Sequence, residues 1–335
     1  MIWCNIASHR RSGRARRLKG ALAAAIAGLV VTGVAAPEAT ADELPGWLSY
    51  AAGPSQAAAA RALAMPAEAK AAHDDVDTEH IFGFSMGSDI GNKGEIELEI
   101  ENVGRFGRRF GSYTGVGVLS QVKFTLTDNF RVAPGVSFAS TQISGVPGMI
   151  DNRRTAIAGA SMEFRYKLLD RDVMPFGLTL HAAPSWNRLD ELTGFDAQIY
   201  GSEFAALMDK ELIRGTLFAA LNLWYSGGAS RDLASIWSHD SEFAVQGALS
   251  YKVNSMLIVG VEARYVRAYE GLGLDRFAGD AVYVGPTFST HLTDKIGLSG
   301  TWSTQVAGKA CDDPRHLDLD NFERHQAMLR FNYLF

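Results

Sequence analysis

Four glutamates stand at alternate positions in "EIELEIE": Glu95, Glu97, Glu99 and Glu101, with aliphatic residues between them. A repeat of two puts all four carboxylates on one face of an extended strand. Like charges so placed repel unless cations oppose them. Cations stand at matching positions of other alternating segments: Lys123, Arg165, Lys167, Arg264, Arg324 and Arg330, with the acids Glu163 and Glu262 among them. An acid ladder opposed by basic residues has two physical uses. It fills a narrow interior as a structural ion network, or it lines a charged constriction that small solutes cross.

Two other groupings have chemical potential. His181 shares a strand face with Ser185 and Asn187, and Glu203 lies in the following segment. These are the residue types of a Ser–His–acid hydrolase, but no Gly-x-Ser-x-Gly and no triad-like order accompanies them. His181 therefore reads as an interior polar residue, and catalysis is not expected. The stretch "CDDPRHLDLDN" gathers Asp312, Asp313, Asp318 and Asp320. Carboxylates spaced by two can hold Ca²⁺, but the glycine turn and closing glutamate of a calcium loop are missing. A solvated loop is the better reading. No glycine-rich phosphate loop or Cys-x-x-Cys pair occurs, so neither metal nor cofactor is expected.

The elements that must position these residues alternate from Glu95 to the end. Twelve segments do so: 95–101, 113–127, 130–140, 154–169, 176–188, 197–212, 215–226, 242–253, 256–269, 280–292, 296–308 and 321–335. The second puts Val116, Val118, Val122, Phe124 and Leu126 on one face. The fourth sets Met162, Phe164, Tyr166 and Leu168 against Ser161, Glu163, Arg165 and Lys167. Connections after the even segments are short ("DN", "IR", "NS", "TDK"), and those after the odd ones are mostly longer, as in "GGASRDLASIWSHDS". An even strand count, two-faced strands and rims of unequal loop length predict a transmembrane antiparallel up-and-down β-barrel over 95–335. Its apolar outer face would meet outer-membrane lipid.

The amino-terminal region differs. A basic run from Arg10 to Lys19 precedes the apolar "ALAAAIAGLVVTGVAA" and the small-residue "ATA". That order predicts a secretory signal peptide over 1–41, cleaved after Ala41. Its removal takes six Lys/Arg and one acid, leaving 26 basic against 36 acidic side chains and a net charge of −10. A balance so acidic argues against nucleic acid as a partner. One cysteine, Cys311, would remain, so no internal disulfide is expected. Residues 42–79 are alanine-rich and read as a periplasmic lead or a plug inside the barrel. Residues 80–94 carry apolar and turn residues, and suit either an inward-lying strand or the approach to the first wall strand.

The carboxyl end "QAMLRFNYLF" places Ala327, Leu329, Phe331, Tyr333 and Phe335 on one face, with Gln326, Met328, Arg330, Asn332 and Leu334 on the other. A strand ending there must pair with the first strand to close the barrel and remove both edges. This ending resembles the assembly signal of bacterial outer-membrane proteins, carried here by Phe331, Tyr333 and Phe335. The resemblance implies recognition by the barrel-assembly machinery. "GFSMGSDIGNKGEIELE" and "YKLLDRDVMPFGLTL" resemble sequences of uncharacterised alphaproteobacterial outer-membrane β-barrel proteins, which implies a location and no substrate. The sequence thus points to an outer-membrane channel passing small solutes through a charged lumen. The alternatives are a structural or surface-interaction barrel with a plugged lumen and, behind it, a lipid-modifying enzyme.

Overall fold

The computed structural model describes residues 76–231, 235–311 and 313–335. The expected signal peptide and most of the alanine-rich lead lie outside the described residues. Twelve antiparallel strands close into one barrel, each bonded to its sequence neighbours and β1 bonded to β12. The strands are β1 (Ile96–Phe106), β2 (Ser112–Thr127), β3 (Phe130–Ser144), β4 (Asn152–Leu169), β5 (Gly177–Leu189) and β6 (Asp196–Ile213). They continue as β7 (Leu217–Arg231), β8 (Trp237–Lys252), β9 (Leu257–Glu270), β10 (Arg276–Thr293), β11 (Ile296–Ala310) and β12 (His325–Leu334). No helix occurs among the described residues.

Alternation divides the wall into two surfaces. Phe138, Ile157, Phe164, Leu180, Leu223, Val261 and Leu329 point outward and are exposed, as lipid-facing residues of such a barrel must be. The intervening positions point inward and are buried, although many are polar or charged: Lys123, Arg131, Arg165, Asn222, Glu262 and Arg330. A soluble protein would show the reverse. Aromatic Trp186, Tyr200, Trp237 and Trp302 also stand on the outer surface.

Closure sets β1 against β12 with Glu101 opposite Arg330, Glu99 opposite Asn332 and Glu97 opposite Leu334. The last residue takes part, since the Phe335 amide donates to the Ile96 carbonyl at 3.1 Å. The final strand is shorter than the alternation suggests. It starts at His325, and 313–324 form a loop that turns inward. Its Leu319, Phe322 and Glu323 are buried, and Phe322 packs on inward-facing Ala281 and Tyr283 of β10. The other long connections shrink for a different reason. Most of "GGASRDLASIWSHDS" is strand, because β7 runs to Arg231 and β8 resumes at Trp237. Polar residues in a strand that projects beyond the membrane look like loop in the sequence, although the ladder continues through them.

One substitution tests the assignment of faces. Leu223→Arg, at an outward position near the middle of β7, should destabilise the barrel by about 2–4 kcal/mol, as measured by urea titration of refolding into lipid vesicles.

Candidate functional site

A segment inside the barrel organises the lumen. Residues 76–94 form no strand, yet nine of the nineteen are buried and six more are half-buried. Such a segment must satisfy its peptide groups without a ladder of its own. Inward side chains of the wall satisfy them. Asn222 accepts from the Met86 amide at 2.7 Å and donates to the Met86 carbonyl at 2.9 Å. Ser250 donates to the Ile81 carbonyl at 2.7 Å, Thr179 to that of Ser88 at 2.5 Å and Thr125 to that of Ile90 at 2.8 Å. Glu262 accepts from the Phe84 amide at 2.9 Å. Ile81 and Phe82 pack on Phe218, Ala220, Ala248 and Ile258, an apolar patch of the inner wall. Gly83 turns the chain at φ +83°, and a Cβ there would stand 2.7 Å from Thr287. The segment therefore acts as a plug.

Glu79 is the charged centre of this plug and is 1% exposed. Lys123 of β2 reaches it at 2.9 Å, Arg131 of β3 at 2.5 Å and Arg165 of β4 at 2.9 Å. Arg131 and Arg165 also share Glu163, at 2.9 and 3.1 Å. Burial alone would raise the Glu79 carboxyl, but the charges of Arg131, Lys123, His80 and Arg165 outweigh it and hold the carboxyl well below its ordinary value. A second clasp lies at the short turn between β4 and β5. There Arg171 binds Asp89 at 2.5 Å, Asp209 at 3.1 Å and the Val76 carbonyl at 2.7 Å.

The glutamate ladder is split among different partners. Glu97 and Glu99 meet Lys123 at 2.9 and 2.6 Å, and Glu101 pairs with Arg330. Glu95 precedes β1 and instead accepts from Asn92 at 3.2 Å. Glu262 takes the Thr301 and Ser303 hydroxyls at 2.9 and 2.8 Å. Arg264 stacks on Phe84, 3.8 Å from the ring centre. Lys167 turns to Asp170 at 3.3 Å, away from the network. Arg324, expected on the inward face of the last strand, sits one residue before β12 and is exposed. The register places it in the inturned loop. Arg131, Glu79 and His80 belong to the network but were not singled out from the sequence. Arg131 had a visible signal, its inward parity on β3. Glu79 and His80 had none, because nothing local shows that their segment enters the lumen.

His80 bridges the plug and the closure seam. Its Nδ1 lies 3.2 Å from Arg330, and its Nε2 lies 2.9 Å from Lys123, 3.1 Å from Asn332 and 3.3 Å from Glu99. Burial and then the Lys123 ammonium lower its pKa, so the ring is neutral at pH 7. Glu79, His80 and Glu99 could in principle converge on a metal. The Lys123 ammonium already occupies that position, 2.9 Å from Glu79 and 2.6 Å from Glu99.

The hydrolase grouping does not assemble. His181 and Ser185 share a face of β5 four residues apart, about 13 Å along the strand. Neither ring nitrogen of His181 has a hydrogen-bond partner among the described residues, and Glu163 stands 3.5 Å away. In the outer loop, Asp313 pairs with Arg315 at 2.6 Å and Asp320 with Arg109 at 3.1 Å. Asp318 accepts from Asn321 at 2.8 Å. The described acids of this loop thus have protein partners.

Two cavities flank the plug. One of about 210 Å³ lies between the plug and the walls around Glu101, Glu203, Glu242 and Trp224. Another of about 260 Å³ is lined by His80, Glu97, His291, Lys295 and Asn332.

Glu79→Gln would leave buried cations without their shared anion, and breaking a buried pair costs about 3–5 kcal/mol. Hydrogen exchange over 76–94 should accelerate accordingly while exchange in the strands stays slow. Because the Glu79 carboxyl is depressed, its contribution is complete above the ordinary value of 4.5 and is lost as pH falls below it. Protease protection of the plug should therefore be constant from pH 5 to 8 and decline in stronger acid.

No curated protein matches the sequence. Among solved structures, the chain is similar to the COG4313 outer membrane channel from Pseudomonas putida F1, with a TM-score of 0.51 and 11% identity over 74% of this chain and 98% of that one. It is also similar to the NanC porin, with a TM-score of 0.40 and 12% identity over 71% and 98% of the two chains. A third similarity is to the translocator domain of the autotransporter NalP from Neisseria meningitidis, with a TM-score of 0.47 and 12% identity over 74% and 91%. The first likeness places the fold among outer-membrane barrels. A family model spans residues 74–335, beginning at the plug and ending at the last residue, and the chain accordingly belongs to the family of unknown function DUF6662.

Proposed function

We propose that the protein is a gated outer-membrane channel for small solutes, held closed by its own residues 76–94. One observation carries this reading: side chains that line one lumen cavity are in contact with side chains that line the other. Arg330 lines the outer cavity, His80 and Asn332 line the periplasmic one, and the Arg330–His80 contact of 3.2 Å lies between them. A barrel serving only as a scaffold has no need for open space on both sides of such a contact. The path follows the β1–β12 seam, where Glu97, Glu99 and Glu101 supply its charge. A leader cleaved near Ala41 and recognition of the Phe331–Tyr333–Phe335 strand by the assembly machinery belong to the same reading.

Planar-bilayer recording of the full chain tests it. The native protein should be closed most of the time. His80→Ala, which removes this contact, should raise the open fraction, and deletion of 76–94 should give stable steps. Neutralising Glu97 and Glu99 should reduce cation preference in the deleted form. A plug deletion that still shows heat-modifiable barrel mobility but no conductance would reject the channel and favour a structural barrel.

A further inference from the structure

The outer cavity carries an unmet charge. Of its three carboxylates, Glu101 pairs with Arg330. Glu203 and Glu242 make no hydrogen bond or ion pair with the described residues. They are neighbours by register: Ser226 of β7 pairs with Glu203 of β6 on one side and with Glu242 of β8 on the other. Two strand spacings put their Cα atoms about 10 Å apart at one level of the lumen. Like charges held this way repel, and the wall cations that act on them, Arg105 and Arg264, do so without forming an ion pair with either.

Independent features of the same cavity point to a ligand. Gln246 lines it, is 9% exposed, and has no hydrogen-bond partner for its Oε1. The Trp224 indole also lines it. Buried polar atoms without partners are uncommon in folded proteins and call for an explanation. Two free carboxylates, an amide oxygen and an aromatic ring around about 210 Å³ form a receptor for an ammonium group with an alkyl body. An anion would meet the carboxylates, and a neutral solute would leave them unneutralised.

We propose that the cavity bounded by Glu203, Glu242, Trp224 and Gln246 binds a small alkylammonium ion, with a terminal diamine able to engage both carboxylates. In naming the solute class for the route described above, the inference rests on that reading. The bound cation sits on the outer side of the His80–Arg330 contact, where a solute would wait for the plug to move.

Calorimetric titration of the full chain in detergent tests the site without requiring conduction. At constant ionic strength, 1,5-diaminopentane should bind and the neutral isostere 1,5-pentanediol should not. Glu203→Gln and Glu242→Gln, both isosteric, should each weaken the diamine by about tenfold or more, since a charge-assisted hydrogen bond is worth at least that. Equal binding of diol and diamine, unchanged binding by the double variant, or equal binding of potassium ion would overturn the proposal. The two readings can fail separately. Diamine binding with a silent plug deletion keeps the site and rejects the channel, whereas a conducting deletion whose parent ignores the diamine does the reverse.

Discussion

A barrel that is apolar outside must be polar or filled inside, and here one carboxylate governs how it is filled. Glu79 draws three cations from three consecutive strands, Lys123, Arg131 and Arg165, into one buried cluster. Each would be prohibitively placed without an anion, and Glu79 would be so without them. The pairing is mutual, so plug and wall define each other. Residues 76–94 have no regular structure to hold their shape, and the surrounding strands supply it through side chains that meet their amides and carbonyls.

The same economy explains the composition of the inner face. It is neither uniformly charged nor uniformly apolar. Near the Ile81–Phe82 pair the wall offers Phe218, Ala220 and Ile258, and near the plug backbone it offers Asn222, Thr179 and Ser250. Beside Glu79 it offers cations. Beside the far face of the plug, towards the outer rim, the wall keeps Glu203 and Glu242 with no hydrogen bond or ion pair among the described residues. The contrast between satisfied and unsatisfied charge marks where the lumen is closed structure and where it is space for something else.

The outer end is shaped by loops as well. Glu191 of the β5–β6 connection faces Arg105 at 3.9 Å, and the Tyr113 hydroxyl holds the Leu192 carbonyl at 3.0 Å. From the other side, Glu323 of the β11–β12 loop binds Arg108 at 2.8 Å. The mouth is thus narrowed by two connections that fold inward, and the contact at His80 lies beneath them.

Strand number, strand faces and closure were legible in the amino-acid sequence because a period of two separates lipid-facing from inward residues within each strand, without reference to any other part of the chain. The alternation of Glu95–Glu101 and of Ala327–Phe335 sufficed to pair the first strand with the last. Loop lengths were less legible, since projecting strands such as the end of β7 carry no lipid-facing signal. The site was legible only in part. Parity placed Lys123, Glu163, Arg165, Glu262 and Arg330 inside, but which charges meet depends on register between strands and on what enters the lumen. Glu79 and His80 lie in a stretch whose local pattern fits a linker as well as a plug. Only tertiary structure decided that this stretch folds into the barrel, because its stabilising partners are supplied by strands up to 252 positions away, as in the His80–Asn332 contact.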